Sequence, residues 1–134
     1  MTVLADTHVL LWWLAGGGRL SRAADRAIEA ADRVLVSPIS CWEVGTLERQ
    51  GRIRLDRPVS SWIAALLDDA RTAVAPLSAE AAGWAGSIAD DRFPGDPADR
   101  LVYATARELR VPLVTKDERL HVFAALDGAV RVVW

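Results

Sequence analysis

The sequence predicts a single α/β domain, an α/β/α sandwich with a central parallel sheet of four or five strands. Short apolar runs alternate with longer segments whose apolar residues recur at helical spacing. Parallel strands need crossover connections, so this alternation favours a sheet covered by helices on both faces. The length of 134 residues and the hydrophobic share of 51% fit one domain over residues 1–134.

The first half of the chain supplies two predicted strands, at 2–5 and 34–36. A helix at about 8–15 ends at the run Gly16-Gly17-Gly18, which suits left-handed backbone conformations. Ser21 is the expected N-cap of a helix at 22–31, and Ser37-Pro38 starts a helix that runs to about Arg49. A further helix follows from 59 or 60 to 70, with Trp62, Ala65, Leu66 and Ala70 facing inward.

The second half begins with a predicted strand at 73–77 and a helix from the cap Ser78 to about Ala89. Asp96-Pro97 opens the next helix, which runs to Arg110. We expect the last elements at 112–115 (strand), 117–123 (short helix) and 130–134 (strand). The inner face of the 97–110 helix is predicted to carry Leu101, Val102, Thr105 and Leu109.

Composition restricts the function classes. The formal charge of -2 excludes a uniformly basic coat, so any polyanion would have to meet a local basic patch. A single cysteine, Cys41, excludes an internal disulfide, fits a reducing compartment and is expected to be a small buried residue. The first residues lack a basic signal region and the apolar run at 9–15 is too short to cross a bilayer. We therefore expect a cytoplasmic protein without a membrane partner.

Acidic side chains follow the predicted strands or begin the helices after them. In parallel sheets, ligands bind outside the carboxyl ends of the strands. Five acids from four segments are expected to converge there: Asp6, Glu43, Asp96, Asp99 and Asp117. Asp99 lies one helical turn after Asp96, so both can face the same cleft.

Carboxylates that converge in one cleft repel one another, so protons or a cation must neutralise part of their charge. Two of them about 4 Å apart repel by roughly 4 kcal/mol at an effective dielectric constant near 20. Mg²⁺ or Mn²⁺ would neutralise this negative charge, because both ions prefer carboxylate and water oxygens as ligands. Both can also bridge such acids to a phosphate group. No other kind of site is supported as well by the sequence. His8 and His121 lack the spacing of zinc ligands, and no glycine-rich phosphate loop precedes a helix.

Four segments carry a family resemblance: 4–14 (LADTHVLLWWL), 37–44 (SPISCWEV), 95–102 (GDPADRLV) and 113–117 (LVTKD). In this order and spacing they resemble the four motifs of PIN-domain ribonucleases, and most closely those of VapC toxins from type II toxin–antitoxin pairs. The resemblance covers essentially the whole chain.

The resemblance implies a compact α/β/α domain that cleaves RNA with Mg²⁺ or Mn²⁺, is blocked by a cognate antitoxin and forms a homodimer. It implies that the four motif acids hold the metal and carry catalysis: Asp6, Glu43, Asp99 and Asp117. Asp96 is an additional metal-binding acid in one form of the third motif. Small hydroxyl residues at matching positions would support the acids: Thr7, Ser40 and Thr115.

Local structural roles compete with these assignments. Ser40 and Glu43 have the spacing of a capping box, which would turn Glu43 toward the backbone. Asp96 and Asp117 could each cap the helix that follows, whereas no capping role is evident for Asp6.

Basic and aromatic residues offer candidate contacts. Arg49, Arg52, Arg54 and Arg57 could bind an RNA backbone or form a solvated face. Lys116, beside Asp117, is a further RNA candidate, and Arg100 could contact phosphate or pair with Asp96 or Glu118. The tryptophans at 12, 13, 42, 62 and 84 are expected in the core or an interface, and the adjacent pair cannot share one helix side, so that one of the two could contact a second subunit or the antitoxin.

Three functions remain open from the sequence. The leading one is a metal-dependent endoribonuclease that acts as a toxin. A phosphoacceptor signalling domain would also place acids at strand ends, but it carries its accepting aspartate after the middle strand, and the run at 74–77 offers none. The third is a non-catalytic PIN-like binding module, which would not need all of the acids.

Overall fold

The computed structural model describes residues 1–16 and 18–134, so Gly17 lies outside the described residues. Within them the chain forms five strands and seven helices, and none of these helices is long and apolar enough to cross a membrane. The elements are β1 (Thr2–Ala5), α1 (Thr7–Ala15), α2 (Arg22–Ala30), β2 (Arg33–Val36), α3 (Pro38–Arg49), α4 (Val59–Asp68), β3 (Thr72–Val74), α5 (Ala79–Ser87), α6 (Pro97–Leu109), β4 (Leu113–Val114), α7 (Glu118–Asp127) and β5 (Val132–Val133).

The strands form one sheet in the order β3-β2-β1-β4-β5, and every neighbouring pair is parallel. This confirms the predicted fold class. Ala5 lies opposite Val36 on one side and Val114 on the other, so three strands end level with one another. The chain direction of the crossovers reverses between β1 and β4, and ligands bind at such a switch point. Asp6 and Thr115 follow these two strands at that place.

Alternation along the strands divides the core into two layers. Val3 and Ala5 pack on one face of the sheet and Leu4 packs on the other. The first layer is completed by α1, α2 and α4, through residues such as Leu10, Ile28 and Trp62. The second is completed by α6 and α7, through Tyr103 and Phe123, which pack with Phe93 of the loop before α6. Both faces are therefore covered, as the parallel sheet requires.

The predicted helix starts are confirmed at three serines. The side chains of Ser21, Ser37 and Ser78 each accept a hydrogen bond from a backbone N–H in the first turn of α2, α3 and α5. Gly16 ends α1 with a φ of 71° and its N–H donates to the carbonyl oxygen of Trp12. The predicted role of the glycine run is thus confirmed at Gly16.

Some predicted boundaries were wrong. β3 ends at Val74 instead of 77, because Pro76 has no N–H to continue the ladder. α4 ends at Asp68, so Ala70 is exposed rather than inward. α7 runs four residues past the predicted end at Phe123, to the left-handed Gly128.

The inner face of α6 is larger than predicted. Val102 and Thr105 are buried as expected, whereas Leu101 and Leu109 are only half-buried. Tyr103 is fully buried and its hydroxyl donates to Asp127 Oδ2 at 2.9 Å. This hydrogen bond lets the tyrosine serve as a core residue.

We predict opposite stability changes for two glycine substitutions. Gly128 has a φ of 72° and Gly83 lies inside α5, and an added Cβ would meet no atom within 4 Å at either position. Gly128→Ala should therefore lose about 1 kcal/mol through backbone strain alone, while Gly83→Ala should gain about 0.5–1 kcal/mol of helix stability. Urea denaturation of both variants measures the two values. A gain at both positions would contradict the left-handed end of α7.

Candidate active site

The five acids predicted to converge line a single cleft of about 470 Å³ at the carboxyl edge of the sheet. They are Asp6, Glu43, Asp96, Asp99 and Asp117. Four of them lie where a strand has just ended or a helix begins, and Glu43 lies in the second turn of α3. The parallel topology therefore gathers them, as the sequence indicated.

Asp6 is the buried end of the cleft, with 8% of its surface exposed. Its Oδ1 accepts a hydrogen bond from the Thr7 N–H at 2.8 Å, and its Oδ2 accepts one from Thr115 Oγ1 at 2.6 Å. Burial raises the pKa of Asp6, and these two hydrogen bonds oppose the rise. Asp6 also occupies the N-cap position of α1, which corrects the expectation that it has no capping role.

Asp6 also changes the argument about a phosphoacceptor domain. The third strand of the chain was treated as the middle one, but β3 lies at an edge and β1 lies in the centre. The middle strand therefore does end in an acid. A phosphoryl acceptor must be open to a bulky phosphodonor, however, and Asp6 lies at the buried end of the cleft with 8% of its surface exposed. The geometry disfavours that function for this reason instead.

The capping-box interpretation of Glu43 was wrong. Ser37 caps α3 and Pro38 occupies its first turn, so Ser40 and Glu43 lie inside the helix. The buried Ser40 hydroxyl accepts a hydrogen bond from the Thr7 hydroxyl at 3.0 Å, which joins α3 to the start of α1. Burial raises the pKa of Glu43, and the charges of Asp6 and Asp96 act in the same direction.

Three of the acids form the tightest cluster. One carboxylate oxygen from each of Glu43, Asp96 and Asp99 lies within 4.8 Å of the others. Asp96 is also the predicted N-cap of α6, because its Oδ1 accepts from the N–H groups of Ala98 and Asp99. Burial, followed by the neighbouring carboxylates, raises the pKa of Asp99 to about 8. The metal-free cleft therefore holds more negative charge than it can stabilise, which fits a set of oxygen donors for a hard divalent cation.

Asp117 closes the cleft on the β4 side. Its Oδ1 accepts from the Arg119 N–H at 2.9 Å, so the predicted cap of α7 is confirmed. Its own N–H donates to Thr115 Oγ1 at 3.1 Å. A single buried hydroxyl thus fixes the position of Asp6 and the backbone that carries Asp117.

The basic candidates divide into two groups. Lys116 and Arg52 line the acidic cleft, and the Lys116 Nζ lies 5.7 Å from the centroid of the Trp12 ring. Arg49 is exposed at the end of α3, and Arg54 lies in a neighbouring groove. Sequence reasoning missed three further residues that line the cleft: His8, Trp12 and Arg119. His8 and Arg119 each lie two residues from a motif acid, which is the signal that could have found them.

Arg100 takes neither of its two predicted roles. Its guanidinium donates to the backbone carbonyl oxygens of Ala85, Ile88 and Pro94 at 2.7–2.8 Å. The arginine therefore binds the end of α5 and the loop before Asp96 instead of a phosphate or an acidic side chain. This interaction holds the loop against α6.

The tryptophans occupy different environments. Trp12 and Trp13 are both half-buried but lie on different sides of α1, as predicted, with Trp12 at the cleft and Trp13 against the first core layer. Trp62 is buried, Trp84 packs beside Tyr103 and Trp42 is 61% exposed. Cys41 is half-buried and burial raises the pKa of its thiol.

Comparison with known proteins identifies relatives of this fold. The PIN domain model matches residues 3–126. Ribonuclease VapC22 of Mycobacterium tuberculosis is 50% identical over 120 residues, which are 90% of each chain. VapBC2 from Rickettsia felis, bound to a DNA fragment from its promoter, shares the fold with a TM-score of 0.65 and 13% identity, covering 98% of this chain and 97% of that chain. A toxin–antitoxin complex from Klebsiella pneumoniae shares it with a TM-score of 0.65 and 22% identity, covering 98% of this chain and 96% of that chain. VapC20 of Mycobacterium tuberculosis, a toxin that cleaves the sarcin-ricin loop, has a TM-score of 0.65 at 17% identity over 90% and 94%.

Thr115 should contribute to stability through its hydroxyl. Thr115→Val removes the donor to buried Asp6 while keeping a similar volume, so we expect a loss of about 1–3 kcal/mol in the free energy of unfolding. Thr115→Ser keeps the hydroxyl and should lose less, in proportion to one methyl group. Chemical denaturation at neutral pH measures both variants. Equal losses would show that packing, rather than the hydrogen bond, is what matters.

Asp99 should make the metal-free protein less stable as pH rises. Its pKa is raised from 3.8 to about 8, so between these values the folded state binds a proton that the unfolded state does not. The free energy of unfolding should therefore fall from pH 4 to about pH 8. The side chain of Asn in the Asp99→Asn variant does not titrate, so at pH 8 we expect this variant to be about 1–2 kcal/mol more stable than wild type. This range is smaller than the full pKa shift implies, because solvent partly screens the half-buried side chain.

Thermal denaturation across this pH range in a chelator measures the effect. The matched control is Asp91→Asn on the exposed loop before α6, which should follow the wild-type pH profile. A wild-type profile that stays flat from pH 4 to pH 8 would contradict the charge repulsion in the cleft.

Proposed function

Because the chain belongs to the PIN-domain family, and within it to the VapC ribonucleases, we propose that it hydrolyses RNA phosphodiester bonds as the toxin of a type II toxin–antitoxin pair. The observation that supports this most strongly is the convergence of five acids in one cleft, three of them with oxygens within 4.8 Å of one another. The extensive identity with Ribonuclease VapC22 supports RNA as the substrate class.

We assign Mg²⁺ or Mn²⁺ to this cleft. The donor set fits, because it consists of carboxylate oxygens; burial, and then the neighbouring acids, raise the pKa values of Asp6, Glu43 and Asp99. The residues that would hold the cation directly or through water are the five acids of the cleft: Asp6, Glu43, Asp96, Asp99 and Asp117. When bound, such a cation activates water for in-line attack and stabilises charge on the leaving oxygen.

The surrounding residues would keep these acids in place. Thr115 donates to Asp6 and accepts from the Asp117 N–H, so it sets the spacing of two catalytic acids. The hydrogen bond between Thr7 and Ser40 fixes the start of α1 against the helix that carries Glu43. Asp6, Glu43, Asp99 and Asp117 would then act as the catalytic acids, one of them orienting the attacking water.

The partners follow from the same family membership. A cognate antitoxin that blocks the cleft is supported by structural neighbours such as the Klebsiella pneumoniae toxin–antitoxin complex. Contact of Arg49, Arg52, Arg54 and Lys116 with RNA, a homodimeric assembly and a cytoplasmic location stay predictions.

Cleavage of RNA by the purified protein tests the function. We expect Mn²⁺ or Mg²⁺ to support cleavage within a panel of transfer and ribosomal RNAs, and a chelator to stop it. Folded Asp6→Asn and Asp99→Asn variants should lose on the order of 100-fold or more of this rate, because each removes a charge from the metal cluster. Asp91→Asn, outside the cleft, is the control that should cleave normally.

Two results would oppose this proposal. Equal cleavage by wild type and both cleft variants would point to a contaminating nuclease and reject the site. Absence of cleavage, together with a melting temperature that Mn²⁺ leaves unchanged, would favour a non-catalytic binding module.

A further inference from the structure

A second cleft adjoins the acidic one and has the opposite charge. It has a volume of about 570 Å³ and runs between α1 and the connection from α3 to α4. We call it the basic groove, after four of the residues that line it: Arg19, Arg52, Arg54 and Arg57. In a chain whose formal charge is -2, this is a concentration of positive charge beside a cleft lined by five acids.

Three residues line both the acidic cleft and the basic groove, and they form the border between the two: His8, Trp12 and Arg52. The two clefts are therefore one continuous surface. A polymer whose phosphate lies at the carboxylates could cross this border and enter the groove. Continuity of this kind suits a substrate strand rather than a separate ligand.

The border presents an aromatic ring. Trp12 is half-buried, with the His8 ring 5.7 Å away and the Trp134 ring 5.9 Å away, measured between ring centroids. Lys116 Nζ lies 5.7 Å from the same indole. An indole at the border of a cleft, beside two other rings and one lysine ammonium group, is the kind of platform on which nucleobases stack in single-stranded nucleic acid.

The arginines of the groove differ in how free their charges are. Arg57 binds Asp56 through two hydrogen bonds of 2.9 Å and 3.1 Å, so much of its charge is already compensated. Arg52 and Arg54 are exposed and form no ion pair with any other residue that the structure describes. Their guanidinium groups can therefore bind successive phosphates.

We propose that the basic groove binds the single-stranded RNA beside the cut, with a base stacked on Trp12 and the next phosphates on Arg52 and Arg54. This inference rests on the proposed nuclease function and deepens it. A base in a duplex is paired and stacked within its own helix, so a base platform at the border selects unpaired RNA. An acidic protein segment could also satisfy the arginines, and the arginine variant below distinguishes it from RNA.

Two fluorescein-labelled probes test the bases and the phosphates separately. One is a 12-nucleotide single-stranded RNA of mixed sequence, and the other is a 12-unit oligomer of abasic phosphates. Binding is measured by fluorescence anisotropy at low salt with EDTA, so that metal-dependent cleavage does not contribute. Trp12→Leu should weaken RNA binding by about 5-fold to 100-fold and leave the abasic probe within about 2-fold of wild type.

The arginines should behave differently. The double variant Arg52→Gln/Arg54→Gln should weaken binding of both probes and reduce the salt dependence by about two counterions. Trp12→Phe keeps an aromatic ring and should retain most of the affinity for RNA. Trp42→Leu is the matched control, since Trp42 is an exposed tryptophan outside both clefts.

The outcomes distinguish this inference from the nuclease assignment. Equal losses for both probes in Trp12→Leu would reject base stacking. Unchanged affinity for both probes in the arginine variant would reject RNA binding in the groove and favour a protein segment there, even if wild-type protein cleaves RNA. Both arginines are exposed, so their variant decides whether RNA binds in the groove if Trp12→Leu fails to fold, and the wild-type preference for the RNA probe over the abasic probe then tests whether the bases contribute. A protein that binds RNA as described but never cleaves it would reject the nuclease function alone.

Discussion

Repulsion among carboxylates at the carboxyl edge of the sheet is the constraint on which this structure depends. Asp6 is held in a buried site by one hydroxyl and one backbone N–H, and Asp99 is placed among four other acids. Each of these placements reduces the stability of the metal-free protein at neutral pH. Folding tolerates this cost because the two core layers above and below the sheet are large and the backbone at the edge is fixed by strand pairing. The site therefore stores the free energy that a divalent cation would recover on binding.

The rigidity of the site comes from parts of the chain that carry no chemistry. Thr115 follows β4 and Asp6 follows β1, and the pairing of Ala5 with Val114 sets them side by side. Arg100 donates hydrogen bonds to three carbonyl oxygens in the segment that leads to Asp96, and these bonds fix the position of the start of α6. Thr115 and Arg100 both lie within motif segments, but neither belongs to the set of acids. The geometry of the acids is thus a property of the fold as a whole.

The predictable part of this protein is the part that periodicity and chain order determine. Strands of apolar residues, capped helices and the rule for parallel sheets were sufficient to place Asp6, Glu43, Asp99 and Asp117 at one edge. The sequence could not distinguish acids that cap helices from acids that bind a metal, because one carboxylate can do both. Asp96 caps α6 through Oδ1 and also has an oxygen in the three-acid cluster. Arg100 was misassigned because its acceptors are backbone carbonyls, which leave no trace in side-chain pattern. The position of β1 in the centre of the sheet likewise depends on strand order, which local sequence does not encode.

Although the net charge of the chain is small, two adjoining regions carry opposite charge, the acidic cleft and the basic groove. Five acids line one cleft and four arginines line the other, so a nucleic-acid strand would approach the border from the side of the groove. In the absence of a cation, affinity has to come from the groove, whereas chemistry has to come from the cleft. A divalent cation held by the acids would reduce their repulsion of a phosphate backbone, so that a strand could then extend across the border. On the proposed function, RNA would therefore bind the groove without metal, whereas the scissile phosphate would enter the cleft once the carboxylates are neutralised.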